Sequence, residues 1–181
     1  MTITHKPLFR PEVLREKLRA FALPDGLDAA REKLARQAAN LRRGHARGKE
    51  STLFPGFFAD VFGELLGYVQ PAQADAFRLP AGAPAPVPAV ALHTFHPNFA
   101  TATRGLADAA IGRGPVEGDP STVIAVVEMK GPADPLDMPY GGRRLSAVEQ
   151  GFGYAIDLGC DWIMVSSMVE TRLYCKRADR L

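Results

Sequence analysis

At 181 residues, with 46% hydrophobic and 23% charged side chains, the chain has the composition of one folded domain with a substantial core, which excludes intrinsic disorder. No apolar run approaches the length of a bilayer span, and residues 1–10 lack the apolar stretch of a signal peptide, so a cytoplasmic protein with no membrane partner is expected. The net charge of +2 hides an asymmetry, because residues 1–49 carry twelve basic and five acidic side chains, net +7, while the remainder is net −5. Two readings of that asymmetry stand side by side: a basic arm for a polyanion beside an acidic body for metal ions, or solvated helix faces laced with i,i+4 charge pairs.

The first predicted element opens at Pro11 in "PEVLREKLRAFAL", where Val13, Leu14, Leu18 and Phe21 recur at helical spacing until Pro24-Asp25-Gly26 breaks the pattern. A second helix follows in "LDAAREKLARQAANLRR", with Leu27, Ala30, Leu34, Ala38 and Leu41 on one side and a stop near Gly44. "ESTLFPGFFADVFGELLGY" predicts a third helix whose apolar face, Phe54, Phe57, Phe58, Val61, Phe62, Leu65 and Leu66, suits a central position, with Gly67 as its stop. Residues 79–90, "LPAGAPAPVPAV", read as a Pro/Ala loop, and the stretch from there to Gly105 has no firm assignment. His93 and His96 in "HTFHP" have a short metal-like spacing; without a third ligand of the same kind, a loop role or a DNA contact is expected in place of zinc.

From Gly105 the pattern changes to strands. "GLADAAIG" and "TVIAVVEMK" are separated by the turn-rich "RGPVEGDPS", which suits a hairpin-like connection. Ser146 and Glu149 form a capping-box pattern that starts a helix ending at Gly159, and "WIMVSS" and "TRLY" read as two more strands joined by a tight turn. Helices, strand, strand, helix, strand, strand argue an α/β sandwich around one mixed sheet. Cys160 and Cys175 lack metal-ligand spacing and read as part-buried free thiols. Trp162 and the phenylalanines of residues 54–62 read as core, not as base-stacking platforms.

The chemistry concentrates where the apolar strand ends in charge. Glu128 and Lys130 are two residues apart in an extended chain, so they share a face while Met129 looks the other way. A hairpin brings Asp108 next to them. Two carboxylates a few ångströms apart repel unless a cation sits between them, and hard oxygen donors suit Mg²⁺, with Mn²⁺ as its substitute. A lysine beside such a metal orients and helps deprotonate a water, which is the equipment of phosphodiester hydrolysis.

Asp108, Glu128-Met129-Lys130 and the helix carrying Gln150 to Tyr154 resemble the PD-(D/E)XK nuclease signature. The wording of "ESTLFPGFFADVFGELLGY", "VVEMKGPADPLD" and "SAVEQGFGYAIDLGCDWIMVSSMVETRLY" is similar to the N-terminal endonuclease domain of type IIG single-chain restriction-modification enzymes, over roughly residues 50–175. The resemblance implies a restriction-endonuclease-like sandwich, a central mixed sheet flanked by helices, over residues 50–181, with residues 1–49 as a basic helical arm. It implies a Mg²⁺-dependent endonuclease acting on double-stranded DNA and leaving a 5′-phosphate. Asp108 and Glu128 are then metal ligands, Lys130 assists the nucleophilic water, and Gln150 and Tyr154 lie over the site to orient it or touch the DNA backbone. Glu50 takes the place of a glutamate that reaches toward the metal from the first core helix, or is a helix-start acid favoured by the dipole. Arg143 and Arg144 are expected phosphate contacts.

The match has departures. Ala107-Asp108 stands where the family has Pro-Asp, Asp119-Pro120 is a rival placement in an expected turn, where Asp is common for structural reasons, and Ser167 stands where an asparagine is expected. No Asn-Pro-Pro-Tyr-like motif or glycine-rich S-adenosylmethionine loop is present. The resemblance implies a methyltransferase and target-recognition domain, linked or associated, as the partner of a fragment of a longer protein, or else a stand-alone nuclease relative, with a transient homodimer for double-strand cleavage. Two alternatives are a nuclease-like module that binds DNA or assembles without catalysis, and a nuclease of repair or recombination.

Overall fold

The computed structural model describes residues 10–19, 26–43, 50–68, 93–113 and 123–177. Val123–Met129, the run without polar alternation, forms the central strand β3 of one five-stranded sheet. It pairs antiparallel with β2 (Leu106–Arg113) and parallel with β4 (Trp162–Ser166). β1 (His93–Ala100) extends the sheet antiparallel to β2, and β5 (Thr171–Cys175) extends it antiparallel to β4, so the strands lie in sequence order. A parallel step requires a crossover, and the helix Ala147–Asp157 supplies it.

The helices are α1 (Pro11–Arg19), α2 (Leu27–Arg42), α3 (Glu50–Phe57) and the crossover helix α4 (Ala147–Asp157). α4 begins where the sequence places it. Ser146 Oγ accepts the Glu149 N–H at 3.2 Å and Glu149 Oε2 accepts the Ser146 N–H at 2.8 Å, a complete capping box. Gly159 follows the helix at φ +67°, the left-handed stop. Ser146→Ala is expected to destabilise the fold by about 1–2 kcal/mol, because the cap is buried. A melting temperature equal to wild type, read by calorimetry, would show that the cap contributes nothing.

Helices cover both faces of the sheet. Ala147, Val148, Ala155 and Leu158 of α4 and its ends pack with Ala110, Val126, Ile163 and Val165 on one side. Phe57, Phe58 and Phe62 pack with Phe95, Ala109, Ile111, Ala125, Val127 and Met129 on the other. Phe62 stacks on Phe95 with ring centroids 4.5 Å apart. Trp162 and Leu41 join this second cluster, and Cys160 and Cys175 are free thiols, buried and half-buried respectively.

Three expectations are corrected. The third helix is not one α-helix: α3 carries Pro55, and from Phe58 to Leu65 the chain is a π-helix, closed by Leu66 N–H donating to Val61 O at 2.9 Å. The wider turn brings Phe57, Phe58 and Phe62 to one side. The unassigned stretch before Gly105 contains β1, so three strands precede α4, not two. Pro97 is tolerated there because β1 is an edge strand. His93 and His96 consequently lie on that strand, not in a loop, and His96 is buried with Nε2 bonded to Thr94 Oγ1 at 2.9 Å.

The N-terminal helices divide. Leu27, Ala30, Leu34, Ala38 and Leu41 are all half-buried, as their spacing predicts, and Lys33 of α2 pairs with Asp60, at 3.0 Å, and with Glu64 of the π-helix. Val13, Leu14 and Leu18 of α1 are exposed. Exposed pairs Arg15 with Glu12, Arg31 with Asp28 and Arg36 with Glu32 account for part of the arm's charge. The Pro/Ala loop, the β2–β3 connection with Asp119, and Phe21 lie outside the described residues. Among the described residues no helix is long and apolar enough to cross a membrane.

Candidate active site

The antiparallel register of β2 and β3, with Ala109 opposite Val127, carries Asp108 to Glu128 one step further along. Asp108 Oδ2 accepts the Met129 N–H at 2.7 Å, which fixes the aspartate against the end of β3. The Glu128 carboxyl lies within hydrogen-bonding reach of Asp108 and accepts from Lys130 Nζ. Lys130 is past the last strand residue, yet its N–H still donates to Ser166 O at 2.8 Å, so the ladder sets the position of its side chain. Glu128 and Lys130 do share a face, and Met129 is buried in the opposite cluster.

α4 completes the group. Lys130 Nζ donates to Gln150 Oε1 at 3.1 Å, and Gln150 Nε2 donates to Leu145 O at 3.2 Å, so the amide is oriented from both ends. An ammonium has three N–H donors, and its contacts to Glu128 and Gln150 among the described residues leave one for a water or a substrate oxygen. Gly151 allows the close approach: a Cβ at that position would stand 2.7 Å from Ile163 Cγ2 and 3.7 Å from Glu128 Cβ. Tyr154, one turn beyond Gln150, is half-buried, and burial, then the charges of Glu128 and Asp108, push its hydroxyl pKa up.

Glu128 is 2% exposed and Lys130 6%. Burial, then the Asp108 charge, raise the Glu128 carboxyl to about 7 against the opposing effect of Lys130. In the metal-free protein the folded state therefore binds this proton more tightly than the unfolded chain, whose value is 4.5. Between those two values the folded state holds more protons, so stability falls as pH rises. Glu128→Gln is expected to remove that fall, which thermal melts in chelator from pH 4.5 to 7 would measure; parallel slopes for the two proteins would contradict it.

The two carboxyls and the raised pKa of Glu128 fit a divalent cation, which satisfies the same oxygens without a shared proton. Among the described residues no group of three or more His, Cys, Asp and Glu side chains gathers to hold a metal. Two carboxylates with the remaining positions left to water is a donor set that suits Mg²⁺.

Of the residues singled out in the sequence, Asp108, Glu128, Lys130 and Gln150 come together, with Tyr154 beside them. Glu50 opens α3, and its side chain lies outside the described residues. Arg143 is engaged within its own loop, donating to Asp134 Oδ2 at 2.9 Å, and Arg144 is exposed in the same loop. Sequence reasoning missed Gly151 and Arg104. Arg104 follows a Thr-rich turn, and its guanidinium lies against Gly153 of α4. A cavity of about 520 Å³ lies away from this group, between α2 and the π-helix, around Leu27, Lys33, Leu34, Asp60 and Glu64.

No family model, curated protein or solved structure matches the chain. The geometry and chemistry of the residues therefore carry the functional argument.

Proposed function

We propose that the chain is a metal-dependent endonuclease domain that hydrolyses phosphodiester bonds in double-stranded DNA. The observation that carries it is the convergence of Asp108, Glu128 and Lys130 at one end of β2 and β3, with Gln150 reaching Lys130 from α4. A buried structural ion pair needs neither a second carboxyl beside Glu128 nor a helix amide fixed on Lys130. Supporting the restriction-endonuclease-like fold is the order of elements around the site: a three-stranded antiparallel meander, a crossover helix and a parallel strand, with helices on both faces.

In this reading Asp108 and Glu128 hold Mg²⁺, or Mn²⁺ in its place. The ion, when bound, supplies Lewis-acid stabilisation of charge on the attacked phosphate. Asp108 keeps its orientation through the Met129 N–H, which fixes one carboxyl oxygen beside Glu128. Lys130 positions the attacking water with an N–H and assists its deprotonation, and Gln150 holds the ammonium in place. Tyr154 stands at the rim to contact the sugar-phosphate backbone. The wider assembly, a methyltransferase and target-recognition domain and a transient homodimer, belongs to the same proposal.

Asp108→Asn and Glu128→Gln are each expected to abolish nicking of supercoiled plasmid and to weaken Mn²⁺ binding at least about tenfold. Plasmid nicking and Mn²⁺ titration by electron paramagnetic resonance check both. Wild-type nicking by either variant would remove that carboxyl from the mechanism. Salt-dependent DNA binding by a wild-type protein that never cleaves would favour the binding or assembly module.

A further inference from the structure

We propose that Arg104 is a phosphate-contacting residue of this site, a guanidinium that grips the DNA backbone beside the Asp108–Glu128 pair. The proposal rests on the endonuclease reading above and adds a residue to it. With a divalent ion balancing the two carboxylates, no positive charge is left over for the neighbouring phosphates of a polyanion, which need a cation of their own at the rim. Lys130 is buried and engaged with Glu128 and Gln150. Arg143 donates to Asp134, and Arg172 pairs with Asp137 and Glu170.

Arg104 is placed differently. Its side chain is 47% exposed, and among the described residues its one ion-pair contact is Nε to Asp157 at 3.9 Å, the outer limit of such a pair. Asp157 is already satisfied by Thr103, whose N–H and Oγ1 donate to it at 2.9 and 2.7 Å. The turn is rigid: Thr101 N–H donates to Gly105 O at 2.7 Å, Arg104 N–H donates to Thr101 Oγ1 at 3.1 Å, and Gly105 has φ +88°. Gly153 forms the seat for the guanidinium, since a Cβ there would lie 3.0 Å from Nη1 and 3.2 Å from Cζ. Gly153 lies between Gln150, whose side chain accepts from Lys130, and the end of α4, so the guanidinium rests on the same helix that completes the site. An arginine presented this way, planar, seated and half in solvent, matches a phosphodiester oxygen pair.

The test is fluorescence-anisotropy binding of a labelled duplex of about 20 base pairs, a length covering the handful of phosphates such a site engages, to full chains carrying Lys130→Ala so that the DNA stays intact. Arg104→Ala in that background is expected to weaken binding about tenfold and to lower the slope of log K against log salt by about one. Arg104→Lys should restore the slope, and Asp157→Asn should leave it unchanged. An unchanged slope in Arg104→Ala, the same loss in Asp157→Asn as in Arg104→Ala, or no duplex binding by the parent protein overturns the proposal. Plasmid nicking by the wild-type chain separately decides the endonuclease reading. Lost slope without any nicking would leave the phosphate contact standing and the cleavage chemistry refuted.

Discussion

Lys130→Ala is expected to lower plasmid nicking by about 10²–10⁴-fold, the range for loss of a positioned proton-transfer group, while Mn²⁺ binding persists. The ladder contact made by the Lys130 backbone to Ser166 O does not depend on the side chain, so the end of β3 keeps its place. Losing the ammonium removes the partner that lowers the Glu128 pKa, and the carboxyl responds by holding its proton to still higher pH. A protonated Glu128 beside Asp108 makes a hydrogen-bonded pair carrying one negative charge in place of two, so the fold survives the substitution. Competition between that proton and the metal should make Mn²⁺ binding by the variant weaken more steeply below neutral pH than in wild type. Nicking at the wild-type rate would remove Lys130 from the mechanism, and loss of Mn²⁺ binding at high pH would make its role structural.

Gly151→Ala should destabilise the protein by about 1–3 kcal/mol of overpacking, less about 1 kcal/mol returned by the better helix former. The added Cβ meets Ile163 Cγ2 at 2.7 Å, and Ile163 is a fully buried β-branched side chain on the neighbouring strand with little freedom to move. α4 must therefore lift from the sheet at the turn that carries Gln150, and nicking should fall at least about tenfold, as small misplacements of positioning groups do. Gly153→Ala provides the contrast, because the nearest atoms its Cβ would meet belong to the half-exposed side chain of Arg104, which has room to shift outward. Its melting temperature should stay within about 2 °C of wild type. Calorimetry of the two variants side by side checks the difference; equal melting temperatures would mean that α4 does not need the close approach at Gly151.

Much of this arrangement is legible in the chain because its signals are local. The apolar run of β3 ending in charge, the two-residue spacing of Glu128 and Lys130, the one-turn spacing of Gln150 and Tyr154, and the Ser146 capping box each depend on a few neighbouring residues. β1 is hidden because Pro97 interrupts it and its polar positions show no regular alternation, features that an edge strand tolerates. The π-helix is hidden because the phenylalanine-rich pattern from Phe54 to Phe62 satisfies an α-helical face as well as a wider one. Gly151 and Arg104 are hidden for a different reason: the first matters through Ile163 on β4 and the second through Gly153 and Asp157 on α4, contacts that exist once the sheet is assembled.

The most direct measurement is nicking of supercoiled plasmid by the purified wild-type chain in Mg²⁺ and in Mn²⁺, beside the same reaction in chelator. The expected result is open-circular DNA in either metal, none in chelator, and 5′-phosphate ends that a ligase reseals. Plasmid that stays supercoiled in both metals, from a protein shown by titration to bind Mn²⁺, would contradict the assignment of Asp108, Glu128, Lys130 and Gln150 as a phosphodiester-hydrolysing site.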